Sequence, residues 1–266
     1  MRGAWQIAGL CLLWIAGCAA PRTMPGLGAE GDFLSAKEMF DSGRYFNAVQ
    51  ALEAFRTANP GSDRVDDATY YLGLAHMHLD EHLLAEQEFD RLLGDYPTSE
   101  HREDAEYERA LSFFESAHSP ARDPEPILSA QQAFESYLRH YPDGAHRTDA
   151  ERLLLAAKDR LAVKHYLNGE TYRQLRQPKA AIIYYEKSLA ILEESSRAGA
   201  ALFGMAECQA TLGQTEQARA TYQRLIDFAT DERMAKNPGL RKLRDKASAA
   251  ITALEASGSA AGSASP

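Results

Sequence analysis

Cysteine is nearly missing from this chain. Cys11, Cys18 and Cys208 are the only three in 266 residues, and no two of them share the body of the sequence. That excludes a disulfide framework and any zinc site built on several thiolates. A surplus of basic residues is lacking too: 29 Lys and Arg stand against 38 Asp and Glu, a formal charge of −9. Nucleic acid, which is held by clustered cations, is therefore not an expected partner. No segment alternates apolar and polar residues in the manner of a strand. No G-x-S-x-G, helix-opening G-x-G-x-x-G, phosphate loop or H-E-x-x-H is present. The best metal candidate is the trio His76, His78 and His82, but Asp80 and Glu81 fall where a turn belongs and divide it. No acid and base pair stands out, so the chain reads as a non-enzyme without a cofactor.

The N-terminus reads as an address and an anchor. Arg2 precedes an apolar run from Ala4 to Ile15, the length of a secretory h-region and shorter than the roughly 20 residues of a membrane-spanning helix. The run ends in Ile15-Ala16-Gly17-Cys18. This resembles the lipobox of bacterial lipoproteins, which implies a signal peptide over 1–17, a diacylglyceryl group on the Cys18 thiol and an N-acyl chain on its amine. Without the leader the charge is −10, with 28 basic residues against 38 acidic. Ala19 rather than Asp after the cysteine implies, by the same resemblance, sorting to the outer membrane. Residues 18–29, with Pro21 and Pro25, have the composition of a flexible tether.

From Asp32 to Leu254 apolar residues recur at three- and four-residue spacing, the mark of an all-α fold. One element repeats: a small residue, an aromatic or leucine four positions on, and a proline twelve positions on. Full copies are Ala48, Leu52, Pro60; Ala85, Phe89, Pro97; and Ala130, Phe134, Pro142. Ala181 with Tyr185 and Ala218 with Tyr222 keep its first half, and the alanine spacings are 37, 45, 51 and 37. This resembles the tetratricopeptide repeat, with Ala36, Gly73, Ala110, Gly169 and Ala206 at the small position of each first helix. The expected architecture is a right-handed superhelix of about five helical hairpins, at about 32–60, 66–97, 103–142, 149–194 and 198–229. A loop, Ser119 to Pro126, explains one long interval, and a first helix from about Asp149 to Arg173 explains the other. A basic helix around Leu240–Leu254 and a disordered tail over 255–266 follow. Residues 30–145 are taken as the N-terminal repeats, and 146–254 as the C-terminal repeats with the basic helix.

In tetratricopeptide arrays the first helices line the inner face. Here that places Phe33, Phe40, Tyr70, Met77, Tyr107 and Phe114 there. Such a set could bury the side chains of a peptide, or could pack each hairpin against the next.

A more specific resemblance lies between Arg122 and Tyr172. Arg122-Asp123-Pro124, Ala130 to Pro142, Thr148-Asp149-Ala150, Lys158-Asp159-Arg160-Leu161-Ala162, Glu170 and Tyr172 are similar to the BamD (ComL/YfiO) family of outer-membrane assembly lipoproteins. His165 departs from the family's usual glutamate, and Tyr184-Tyr185 stands where the family tends to carry Asn-Arg, an arginine that helps dock it on its barrel partner. The resemblance implies a scaffold of the β-barrel assembly (BAM) complex, anchored by lipid to the outer membrane and facing the periplasm. Its implied partners are the POTRA domains of a BamA-like β-barrel protein, unfolded outer-membrane proteins, and other BAM lipoproteins. The alternative is a repeat scaffold lipoprotein for another envelope machine, pilotin-like or coordinating division with Tol-Pal.

Overall fold

The computed structural model of the chain describes residues 28–117, 125–231 and 237–262. The leader, Cys18, most of the tether, Arg122-Asp123-Pro124 and the last four residues lie outside the described residues. Among the described residues there are eleven helices and no strand: α1 (Gly28–Asp41), α2 (Tyr45–Ala58), α3 (Val65–His78), α4 (His82–Asp95), α5 (Arg102–Ser116), α6 (Glu125–His140), α7 (Arg147–Gln174), α8 (Pro178–Ile191), α9 (Ala198–Thr211), α10 (Thr215–Thr230) and α11 (Pro238–Gly262). Each odd helix up to α9 forms an antiparallel hairpin with the even helix that follows, and α11 closes the array on α10 and α9.

The small residues explain why the hairpins close. A Cβ built on Gly73 would sit 2.5 Å from the Phe89 ring, and one on Gly169 would sit 2.6 Å from the Tyr185 ring. Each aromatic of the second helix therefore rests on the bare backbone of the first. Ala48, Ala85, Ala130, Ala181 and Ala218 answer from the other side and are fully buried. Pro60, Pro97 and Pro142 each lie just beyond the second helix, where a missing N–H costs nothing. The short turns inside hairpins share one left-handed residue, at Gly43, Asp80, Arg176 and Gly213. At each, the next backbone N–H bonds back to the fifth-preceding carbonyl, as Glu81 does to His76 at 2.9 Å.

Consecutive odd helices touch one another, whereas among the described residues no two even helices do. The odd helices therefore lie on the inside of the curve. The helix α7 is twice the length of its counterparts because it serves two hairpins. Ala150, Leu153, Ala157 and Leu161 belong to the core of the third, while Gly169 receives Tyr185 from α8 in the fourth.

Three boundaries differ from the sequence reading. The first helix begins at Gly28, inside the expected tether, with Glu30 in its first turn to complement the helix dipole. The helix α6 begins at Glu125, so Pro126 lies in its first turn, where proline is tolerated, rather than in the loop. Finally, α11 runs to Gly262 through the segment expected to be disordered, where Ala256, Ala260 and Ala261 favour helix. No helix among the described residues is long and apolar enough to cross a membrane.

Candidate functional site

The inner face is built at the junctions between hairpins. Just before each of four odd helices stands a basic residue, namely Arg64, His101, His146 and Arg197. Each reaches back onto an aromatic ring of the preceding odd helix. His101 stacks on Tyr70 at 4.3 Å and 7°, and His146 on Tyr107 at 4.3 Å and 10°. The Arg64 guanidinium lies 5.7 Å from the Phe33 ring, and that of Arg197 lies 5.9 Å from the Tyr166 ring. At the first three junctions a carboxylate three residues ahead of the aromatic pairs with the base. Arg64 Nε donates to Glu30 at 3.0 Å, while His101 pairs with Asp67 at 2.7 Å and His146 with Asp104 at 2.8 Å.

This arrangement divides the six inner-face residues expected to form a peptide groove. Phe33 and Tyr107 are 3% and 8% exposed, and so belong to the core rather than to an open groove. Tyr70 is half-covered by His101. The reason is physical: an aromatic facing inward one turn from the helix start is the nearest surface for the residue that opens the next hairpin. Phe40, Met77 and Phe114, two turns further on, remain half-buried. Phe40 meets Tyr45 at 5.4 Å and Tyr71 at 5.2 Å, and Phe114 carries the Arg160 guanidinium 4.0 Å above its ring. Tyr71 was missed by the sequence reading. It contacts Phe33, Phe40 and Tyr70 at once, with Lys37 5.1 Å from its ring. Glu108, one repeat after Tyr71, faces the same side, and burial pushes its carboxyl up to about 7, with His146 opposing and Glu115 and Asp104 adding.

The histidine trio separates as expected. His76 Nδ1 meets Glu81 at 2.7 Å, His78 stacks on Tyr45 at 4.2 Å, and His82 begins α4 across the turn.

The family-signature residues within the described segments are committed inside the chain. Lys158 pairs with Glu135 at 3.0 Å, and Asp159 accepts from the Ser196 amide at 2.7 Å and from its hydroxyl at 3.0 Å. Arg160 donates to the Phe114 carbonyl at 3.2 Å, fastening the end of α5. Glu170 accepts from Arg173 at 2.7 Å and from the Tyr185 hydroxyl; these bonds hold its carboxyl below the usual range against the opposing effect of burial. These contacts position the hairpins, while Tyr172, the last of the signature residues, lies half-buried at the surface. Its ring stacks on Tyr184 at 5.1 Å and 11°. Tyr184 also meets His165 at 6.2 Å and Lys187 at 5.2 Å, which makes a half-exposed aromatic patch on the fourth hairpin. Tyr185 is fully buried against Gly169 and Gly204, so of the pair that departs from the family pattern only Tyr184 reaches the surface.

Comparison with known proteins places the chain. The model of the YfiO family, described as an outer membrane lipoprotein, matches residues 31–225. No curated protein matches the chain. Solved structures similar to it include a thermophilic tetratricopeptide protein of Thermus thermophilus, at 18% identity over 82% of this chain and 98% of that one, with a TM-score of 0.36. A tetratricopeptide repeat protein from Parabacteroides merdae is 16% identical over 87% of this chain and 76% of its own, with a TM-score of 0.36. The pilF protein of Pseudomonas aeruginosa is 15% identical over 85% of this chain and 91% of its own, with a TM-score of 0.33.

Proposed function

The chain belongs to the YfiO family of outer membrane lipoproteins, and from that membership we propose that it is a lipid-anchored scaffold of the β-barrel assembly complex. In this reading Cys18 carries the acyl chains, which at about 0.8 kcal/mol per buried CH₂ hold the protein at the bilayer. The C-terminal hairpins dock on POTRA domains of a BamA-like protein, and the N-terminal hairpins receive segments of unfolded outer-membrane proteins.

The observation that carries the division of labour is the contrast in open aromatic surface. Phe40, Tyr71 and Met77 lie half-buried on the inner face of the first two hairpins, and Phe114 on that of the third. The Tyr172–Tyr184 stack with Lys187 stands on the fourth hairpin. Aromatic side chains with a nearby cation are the residue types that concentrate binding energy at protein interfaces.

The test is affinity purification of the tagged protein from detergent-solubilised membranes, followed by mass spectrometry, with Cys18→Ser as the control for the anchor. Recovery of a large β-barrel protein with POTRA repeats is expected, and Tyr184→Glu should reduce it while leaving the thermal midpoint unchanged. Recovery of secretin or cell-division proteins in its place would move the chain to another envelope machine.

A further inference from the structure

The repeat leaves one exposed position apolar three times. Phe46, Leu83 and Leu128 each stand two residues ahead of the packing alanine of an even helix, Ala48, Ala85 and Ala130. They are 64%, 66% and 38% exposed, and Leu84 beside Leu83 is 43% exposed. The equivalent residues of the last two hairpins are Lys179 and Glu216. A single exposed leucine needs no explanation. The same position exposed in three successive hairpins, and charged in the next two, is a row confined to the N-terminal part of the array.

The first two members of the row lie close to the turns that border the inner face. The turns at 42–44 and 79–81 are three residues long, so the end of each odd helix lies against the start of its partner. The Phe40 and Tyr45 rings are 5.4 Å apart, and His78 covers Tyr45 at 4.2 Å. Ring surface thus passes from Phe40 over the first turn to Tyr45, the neighbour of Phe46 in the chain.

The charge of this half is mostly of one sign, although Arg44 stands in the first turn, two residues from Phe46. Residues 28–117 hold 20 Asp and Glu against 7 Lys and Arg, a net of −13. Six of the seven cations are already held within the fold. Lys37 pairs with Asp41, Arg56 and Arg91 with Glu88, Arg64 with Glu30, Arg109 with Asp90, and Arg102 donates to the Leu93 carbonyl. An anionic surface approaching this edge is repelled, and a cationic one is drawn in.

We infer that the row of Phe46, Leu83 and Leu128 is a docking strip for an extended polypeptide segment that is both apolar and cationic. The inference rests on the client-binding reading above and names the chemistry of the client. The apolar row supplies contact area that alternate side chains of an extended segment can bury, and the acidic surroundings select lysine or arginine between them.

The test uses the mature chain from residue 18 with Cys18→Ser, and fluorescent peptides that alternate phenylalanine with lysine, phenylalanine with glutamate, or serine with lysine. The phenylalanine–lysine peptide should bind about tenfold or more tightly than either of the others, and its binding should weaken as salt is raised. Replacing Phe46, Leu83 and Leu128 together by Ser should lose about tenfold of that affinity with no change in thermal midpoint, since all three side chains are already in contact with water. Equal binding by the triple variant, or equal binding of the lysine and glutamate peptides, overturns the strip. If unfolded clients bind the parent and the triple variant alike but lose affinity for Met77→Ser/Phe114→Ser, the client reading stands and only the strip falls. If neither clients nor peptides bind the parent, both fall.

Discussion

The first three hairpins and the last two are cut from one pattern and finished differently. Both halves place an aromatic on a glycine, Phe89 on Gly73 in one and Tyr185 on Gly169 in the other, at nearly the same separation. Their exposed positions diverge. Residues 28–117 and 125–140 together hold 22 acidic residues against 8 basic, a net of −14, whereas 147–231 hold 12 basic against 11 acidic and are close to neutral. The junctions that frame the third hairpin are closed by His101 and His146, and the outermost ones by Arg64 and Arg197. The comparison separates what the repeat needs in order to fold from what each half adds at its surface. Packing positions tolerate little variation, while turn edges and helix faces are free to diverge.

The largest expected effect tests the shared part. Gly73→Val and Gly169→Val each drive side-chain atoms into an aromatic ring, and each should cost about 2–3 kcal/mol in urea denaturation. A loss in one half only would show that the two halves are not built alike.

Next come the junctions. His146→Ala removes a ring stack and a bond to Asp104, and Arg197→Ala removes the cation above Tyr166. The expected cost is about 1–2 kcal/mol for the first and less for the second, read from thermal or urea midpoints. His146→Arg should restore much of the loss, because Arg64 fills the equivalent socket with both contacts intact.

A smaller effect belongs to the acidic half alone. Burial holds the Glu108 carboxyl at about 7 in the folded chain against 4.5 for an ordinary glutamate. The folded state thus binds the proton more tightly than the unfolded state. Glu108 contributes most below about pH 4.5, and that contribution is lost as pH rises towards 7. Replacement by Gln should flatten the fall in stability over this window, measured by denaturant midpoints at a series of pH values.

The smallest changes should be gains. Asp80 and Arg176 occupy left-handed backbone at φ 59° and 55°, where Gly43 and Gly213 sit in the equivalent turns. Asp80→Gly and Arg176→Gly should each stabilise by roughly 0.5–1 kcal/mol, one in each half.

Much of this was legible from the residues. The alanine, aromatic and proline spacing located the hairpins, because packing and helix termination impose fixed distances along the chain. The inner face was legible as a face but not in its occupancy. Whether Tyr107 is open depends on His146, which lies 39 residues away and belongs to the next hairpin. The signature residues were legible as a string, yet nothing in a string distinguishes a residue that meets a partner from one that fastens its own fold. Asp159 on the Ser196 backbone and Arg160 on the Phe114 carbonyl are of the second kind. The strained turns were hidden because neither Asp80 nor Arg176 is the residue that such a backbone usually recruits.

The 28-residue α7 also has a mechanical meaning. At 1.5 Å per residue it is a beam about 42 Å long without an internal proline. One end is bedded in the third core, and the other bears the Tyr172–Tyr184 stack. The preceding hairpins pack helix on helix as well, α2 on α3 and α4 on α5, but share no helix. The third and fourth hairpins share one stiff member. A load applied at the aromatic patch is therefore carried as a tilt of the whole beam into the wall of the inner face.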